Sequence, residues 1–265
     1  MSLDVIDLRH FYTQPLGSVA RRLIGRGIRA TWPDVRGQRI VGVGYAPPYL
    51  GLFRPDAERC LAFMPAAQGV VKWPTAKSTL SSLVDDSELP LTDSAVDRVL
   101  LVHSLEMSHD PVGLLKEVWR VLTAGGRVMV VVPNRRGVWA RMDTTPFGHG
   151  RPYSRSQITH LLRETWFTPT GWEEALYVPP IPHAWFLRSA VAWERTGASI
   201  SAPFAGVHIF EAMKQVYRGV PVRRERRRFV RALEPVLAPS PAPQSRDVPL
   251  WTAPEPYSTE DPSGG

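Results

Sequence analysis

The residues able to do chemistry fall in a few short loops. FGHGRPYSRSQ, residues 147–157, brings His149, Arg151 and Tyr153 together. A histidine whose ordinary pKa lies near neutrality suits proton transfer, and an arginine beside it suits an anionic substrate. His149 is therefore the candidate general base, with Tyr153 as the neighbouring hydroxyl. The same loop also reads as a polar, glycine-hinged cap on the helix that follows. PNRRGVWARMD adds Arg135, Arg136 and Arg141, and carboxylates gather in DDSELP at Asp85, Asp86 and Glu88. VGVGYAPPYLG, residues 41–51, opens like a strand entering a glycine loop and then inserts Pro47 and Pro48. Glycines give such a turn freedom of φ, whereas prolines fix φ and remove two N–H donors. The lone cysteine, Cys60, excludes an internal disulfide and a cysteine-based metal cluster, and no metal site is expected.

The elements that must position these groups follow from periodicity. Residues 15–30 place Leu16, Val19, Ala20, Leu23, Ile24 and Ile28 at helical spacing with arginines opposite. GQRIVGVG, CLAFMP, STLSSLV and RVLLVHSL read as strands, with VVKW (residues 70–73) a weaker apolar run. DPVGLLKEVWRVL has a capping Asp110, Pro111 at the first helical position and a stop at Gly125 and Gly126. RVMVVVP is almost continuously apolar, as a strand covered on both faces must be. SRSQITHLLRETW is a helix with serine at its start, and GVHIFEAMKQVY belongs to the folded part without an assigned element. Strands alternating with helices predict an α/β sheet, parallel at its centre, whose ligands sit beyond the carboxyl ends of the strands. Loops 44–50, 64–69, 85–90 and 102–109 then share one rim.

The segment 85–134 resembles the middle of a class I S-adenosylmethionine-dependent methyltransferase, of the "methyltransferase type 11"-like branch. The likeness rests on Asp86, Leu89-Pro90-Leu91, Ser94 to Asp97, Val99 to Leu101, Glu117, Arg120-Val121-Leu122 and Gly125-Gly126 in their order and spacing. It implies a three-layer α/β sandwich with a seven-stranded, mostly parallel Rossmann-like sheet and S-adenosylmethionine as cofactor. By position, Asp86 and Ser87 match the loop that holds adenine, and His103 the end of the fourth strand beside the methyl donor. Gly44, Tyr45 and Ala46 fall on the glycine loop. In that loop Gly42 stands where an acid is common, and Ala46 and Pro48 replace two glycines. Met64 or Pro65 occupies the place of the acid that usually binds the ribose, and Gln68 is the remaining polar candidate. A neutral amide forgoes the stronger charge-assisted bond, a difference of order 1 kcal/mol.

The expected organisation is a helical segment over residues 1–35, packing on or over the cofactor cleft, a methyltransferase-like domain over 36–220, and a basic, then Pro/Ser-rich disordered tail over 221–265. The expected activity is methyl transfer to a small-molecule or protein acceptor. The altered loops keep a non-catalytic regulatory subunit as the alternative, with residues 183–197 as its apolar partner face. A net charge of +7 and arginine runs such as RRERRR prompt a nucleic-acid methyltransferase as a third reading. His103-Ser104-Leu105-Glu106 stands where an NPPY-type base-binding motif would be, which makes nucleic acid the least favoured partner. No apolar run reaches the roughly 18 residues of a membrane span, and MSLDVIDLRHFY has no apolar signal core, so a cytoplasmic protein is expected.

Overall fold

The computed structural model describes residues 3–181, 183 and 205–216. The expected tail at 221–265, and all of the 183–197 stretch but His183, lie outside the described residues. Helix α1 (Val5–Thr13) starts at Asp4, whose carboxylate accepts from the Ile6 amide at 3.2 Å. Gln14 alone joins it to α2 (Pro15–Thr31), which buries the predicted stripe from Leu16 to Ile28. Then follow β1 (Arg39–Gly44), the one-turn α3 (Pro47–Leu50), β2 (Arg59–Pro65) and β3 (Ser81–Val84). The second half runs β4 (Val96–Val102), α4 (Pro111–Val121), β5 (Leu122–Pro133), α5 (Arg155–Glu164), β6 (Phe167–Ala175) and β7 (Val207–Lys214).

Among the described residues these strands form one seven-stranded sheet in the order β3-β2-β1-β4-β5-β7-β6. β1 to β5 are parallel, and β7 runs antiparallel between β5 and β6. One core joins α1, α2 and α3 to the sheet face carrying Ile40, Ala62, Leu100 and Met129. The other joins α4 and α5 to the face carrying Val41, Val99, Val128 and Phe210. The expected three-layer α/β architecture is thus the observed one. Strand order reverses between β1 and β4, the switch point where such sheets bind ligands.

Local chemistry explains the boundaries. Asp110 accepts from the Gly113 amide at 2.9 Å and opens α4. Ser154 and Gln157 exchange side-chain and backbone bonds as a capping box on α5. VVKW does not pair as a strand, because Gly69 at φ +89° and Pro74 bracket only four residues and Val70 is exposed. β4 ends at Val102, earlier than RVLLVHSL suggests, because His103 turns the chain at φ +47°.

Candidate functional site

The rim begins with the proline turn. Gly44 has φ +85°, and a Cβ there would lie 2.3 Å from the Val102 carbonyl oxygen, so glycine is required for the backbone crossing between β1 and β4. The Tyr45 amide donates to that same oxygen at 2.8 Å and pins the turn. Pro47 and Pro48 take the first positions of α3, where backbone N–H groups have no helical partner, so their missing donors cost little. A Cβ on Gly42 would meet Ala46 at 2.5 Å and Leu50 at 2.8 Å, so the acid expected at that position has no room.

Beyond the sheet switch point lies a cavity of about 350 Å³, bounded by Pro65, Gln68, Asp86, Ser87, His103 and Ser104 and closed by residues 107–110. Asp85 is spent on its own turn: it accepts from the Ser87 amide at 2.9 Å and hydroxyl at 2.6 Å, which holds its carboxyl below the usual range. Asp86 instead receives only a 3.2 Å bond from Ser108 Oγ and keeps acceptor capacity toward the cavity.

Beneath the cavity runs a buried chain of polar groups. Tyr49 donates to the Tyr12 oxygen at 3.1 Å, and the Tyr12 hydroxyl lies 2.8 Å from His103 Nε2. His103 Nδ1 stands 3.3 Å from Glu106 Oε1, both side chains only 1% exposed, in a contact that completes no hydrogen bond. Gln68 donates through Nε2 to the His103 carbonyl at 2.9 Å. Gln68 Oε1, Ser104 Oγ and both Glu106 oxygens are buried without a hydrogen-bonding partner. Burial, then Tyr49, pushes the Tyr12 hydroxyl well above the ordinary phenol range. Tyr12 also stacks on Tyr45, with ring centroids 5.7 Å apart at 21°.

The sequence candidates divide accordingly. Pro65, Gln68, Asp86, Ser87 and His103 converge on the cavity. Gly44 and Ala46 support the turn from beneath, and Tyr45 faces a separate groove beside α1. Met64 is fully buried, its sulfur 3.5 Å from the Val71 amide, so the end of β2 reaches the cavity through Pro65. His149 Nε2 lies 2.8 Å from the Asp143 carbonyl oxygen, outside the cavity. Tyr153 pairs its backbone with Pro133 and Arg135 and donates weakly to the Leu105 carbonyl at 3.5 Å. Sequence reasoning missed Tyr12 and Glu106. A carboxylate set between Leu105 and Met107 was the available signal for Glu106, and nothing local marked Tyr12.

A parallel-centred sheet with this strand order and a cavity beyond the ends of β2, β3 and β4 defines a Rossmann-like methyltransferase fold. Residues 24–130 match the family model described as a methyltransferase domain. The chain is 36% identical over 83 residues to a probable S-adenosylmethionine-dependent methyltransferase of Mycolicibacterium smegmatis. That match covers 31% of this chain and 32% of the relative, so the chain spans about a third of the length of the curated relative it matches. Among solved structures, it is similar to the [4+2]-cyclase SpnF, with TM-score 0.53 and 21% identity, covering 75% of this chain and 82% of that one. It is also similar to a chain in the complex between the Haloferax volcanii Trm112 methyltransferase activator and a putative methyltransferase. There the TM-score is 0.50 at 18% identity, covering 70% of this chain and 85% of that one. Likeness at that identity speaks for the fold, which hosts more than one chemistry. Residues 24–130 are thus similar to a methyltransferase domain, and the sheet built on them has the class I methyltransferase fold.

Proposed function

We propose that this chain is a methyltransferase that binds S-adenosylmethionine in the rim cavity and methylates a small-molecule or protein acceptor. The observation that carries the reading is the pair of buried acceptors on the cavity lining left without donors, Gln68 Oε1 and Ser104 Oγ. A buried polar group without a partner costs about 1–3 kcal/mol, so a donor-rich ligand suits this cavity. Adenosyl sulfonium compounds offer such donors in an exocyclic amine, two ribose hydroxyls and an ammonium. The residues present therefore fit the cofactor despite the missing ribose acid.

In this assignment Asp86 accepts from the adenine amine and Gln68 Oε1 from a ribose hydroxyl, while Ser104 Oγ receives the ammonium. The cofactor supplies an already activated methyl group, so positioning by the protein contributes most of the acceleration. Among the described residues no helix is long and apolar enough to cross a membrane, in keeping with a proposed cytoplasmic enzyme. Calorimetry with S-adenosylhomocysteine tests the proposal: saturable binding and a raised Tm are expected. Absence of heat and of any Tm shift at millimolar ligand would sink it.

A second reading is a non-catalytic subunit of a partner protein, favoured by Tyr12, which wedges α1 into the rim. A lone monomer that turns over the methyl donor would eliminate this reading.

A further inference from the structure

Resting on the methyl-transfer reading, the next inference concerns which group receives the acceptor's proton. A hydroxyl that attacks an alkyl donor has to shed its proton, and a positioned base speeds that step. His149 is poorly placed for it. It lies outside the cavity lining, and its Nε2 donates to the Asp143 carbonyl at 2.8 Å, which leaves only Nδ1 as a base.

His103 has the opposite arrangement. Its Nδ1 lies 3.3 Å from Glu106 Oε1, a contact that completes no hydrogen bond but sets the carboxylate charge beside Nδ1, which favours the neutral ring's proton there and the lone pair on Nε2. That lone pair points at the Tyr12 hydroxyl, 2.8 Å away. Tyr49 donates to the Tyr12 oxygen, so the Tyr12 proton is free to point at Nε2. The chain of donors therefore runs one way, from Tyr49 through Tyr12 to His103, with Glu106 behind the ring. His103 also holds a left-handed φ of +47°, a conformation uncommon for a non-glycine residue and maintained only where the surroundings enforce it.

The surroundings of the Tyr12 ring are aromatic. Tyr45 stacks on it, Tyr49 meets it edge-on at 6.1 Å, and Phe147 lies 5.1 Å from His103. A groove of about 880 Å³ between α1 and the Val70–Ala76 loop reaches both Tyr12 and Tyr45 from outside. α1 is tied to the rim by the Val5 amide on the Gln68 carbonyl at 2.8 Å, and to α2 through Gln14 in extended backbone.

We infer that Tyr12 holds the place of the methyl acceptor: a phenol-type hydroxyl stacks against Tyr45 when α1 gives way, and His103 Nε2, oriented by Glu106, takes its proton. The acceptor's O–H bond breaks and an Nε2–H bond forms, while the electron pair stays on the acceptor oxygen for bonding to the methyl carbon. The imidazolium is balanced by Glu106 and returns its proton to water after product leaves. His103 is the catalytic residue in this account and Glu106 a positioning residue.

Nitrogen-15 NMR of histidine-labelled full-length protein, with no ligand added, reads the tautomer directly. The account expects His103 protonated on Nδ1 alone; a ring protonated on Nε2 would overturn it. A second measurement uses 4-nitrophenol below its own pKa. Tyr12→Ala is expected to bind it with phenolate absorption, and Tyr12→Ala/His103→Gln to bind it neutral or not at all; identical spectra from the two would also overturn the inference. In turnover at saturating cofactor, His103→Gln should lower kcat at least about a hundredfold. Glu106→Gln should shift the pH profile of kcat, which a purely structural role would not do. Failure of the wild type to bind S-adenosylhomocysteine strikes the methyl-transfer reading alone, since the tautomer is measured without it.

Discussion

Two polar networks, one partly exposed around Arg120 and one buried around His103, are finished to different degrees. In the first, Arg120 on α4 donates to Glu117 at 2.9 Å, to Asp93 at 2.7 Å and to the Leu91 and Leu89 carbonyls at 2.9 and 3.2 Å. Glu117 in turn accepts from the Leu89 amide at 2.8 Å, and its pairing with Arg120 holds its carboxyl below the usual range. In the second network, around His103, four acceptor atoms have no donor. Both belong to the loops that follow β3 and β4. A network closed on itself braces the loop, whereas one left open beneath a cavity is arranged for something that enters it.

The comparison is broken most severely at Arg120. Arg120→Met strips two loop carbonyls and Glu117 of their donor and should cost about 3 kcal/mol in urea unfolding. If the loss is under about 0.5 kcal/mol, the closed network is not bracing the loop.

A third open group, His208 Nδ1, lies away from the cofactor cavity and separates stability from ligand binding. Burial pushes the His208 imidazole down to about 4. Between that value and the ordinary histidine pKa the unfolded chain binds more protons, so stability should fall as the pH drops through this window, by of order 2 kcal/mol. Glu174, raised by its own burial, offsets part of that loss at the acid end. His208→Phe should flatten the dependence; an unchanged pH–stability curve would remove His208 from the account.

Asp86→Asn should weaken S-adenosylhomocysteine binding about tenfold, or roughly 1.4 kcal/mol, with the unfolding midpoint unchanged. Equal affinity in calorimetry would mean that Asp86 belongs only to its turn. Glu106→Leu carries the smallest expected change in stability and the opposite sign from Arg120→Met. Removing a buried, donorless carboxylate should leave the fold neutral or stabilised by about 1 kcal/mol, while kcat falls. A destabilisation comparable to that of Arg120→Met would show that the two networks do the same work.

The closed network was largely legible in the sequence. Glu117 and Arg120 lie one turn apart on a helix that announces itself through Asp110 and Pro111, and RVMVVVP marks the strand behind it. The open network was not, because its contacts are remote: Tyr12 meets His103 across 91 positions and Tyr49 across 37. The prolines of VGVGYAPPYLG looked like lost donors and proved harmless, since α3 begins on them. β7 stayed unassigned because His208, Glu211 and Lys214 interrupt its apolar pattern. Their partners come from other elements: Glu211 accepts from Trp32 at 3.0 Å and from Arg127 at 2.8 Å. Alternation cannot reveal a buried strand whose charges are neutralised from a distance.

The most direct test of the open network is a crystal structure with S-adenosylhomocysteine. The adenosyl group is expected between Pro65, Gln68 and Asp86, with donors delivered to Gln68 Oε1 and Ser104 Oγ. A cavity still empty at saturating ligand, with Tyr12 unmoved against His103, would contradict it.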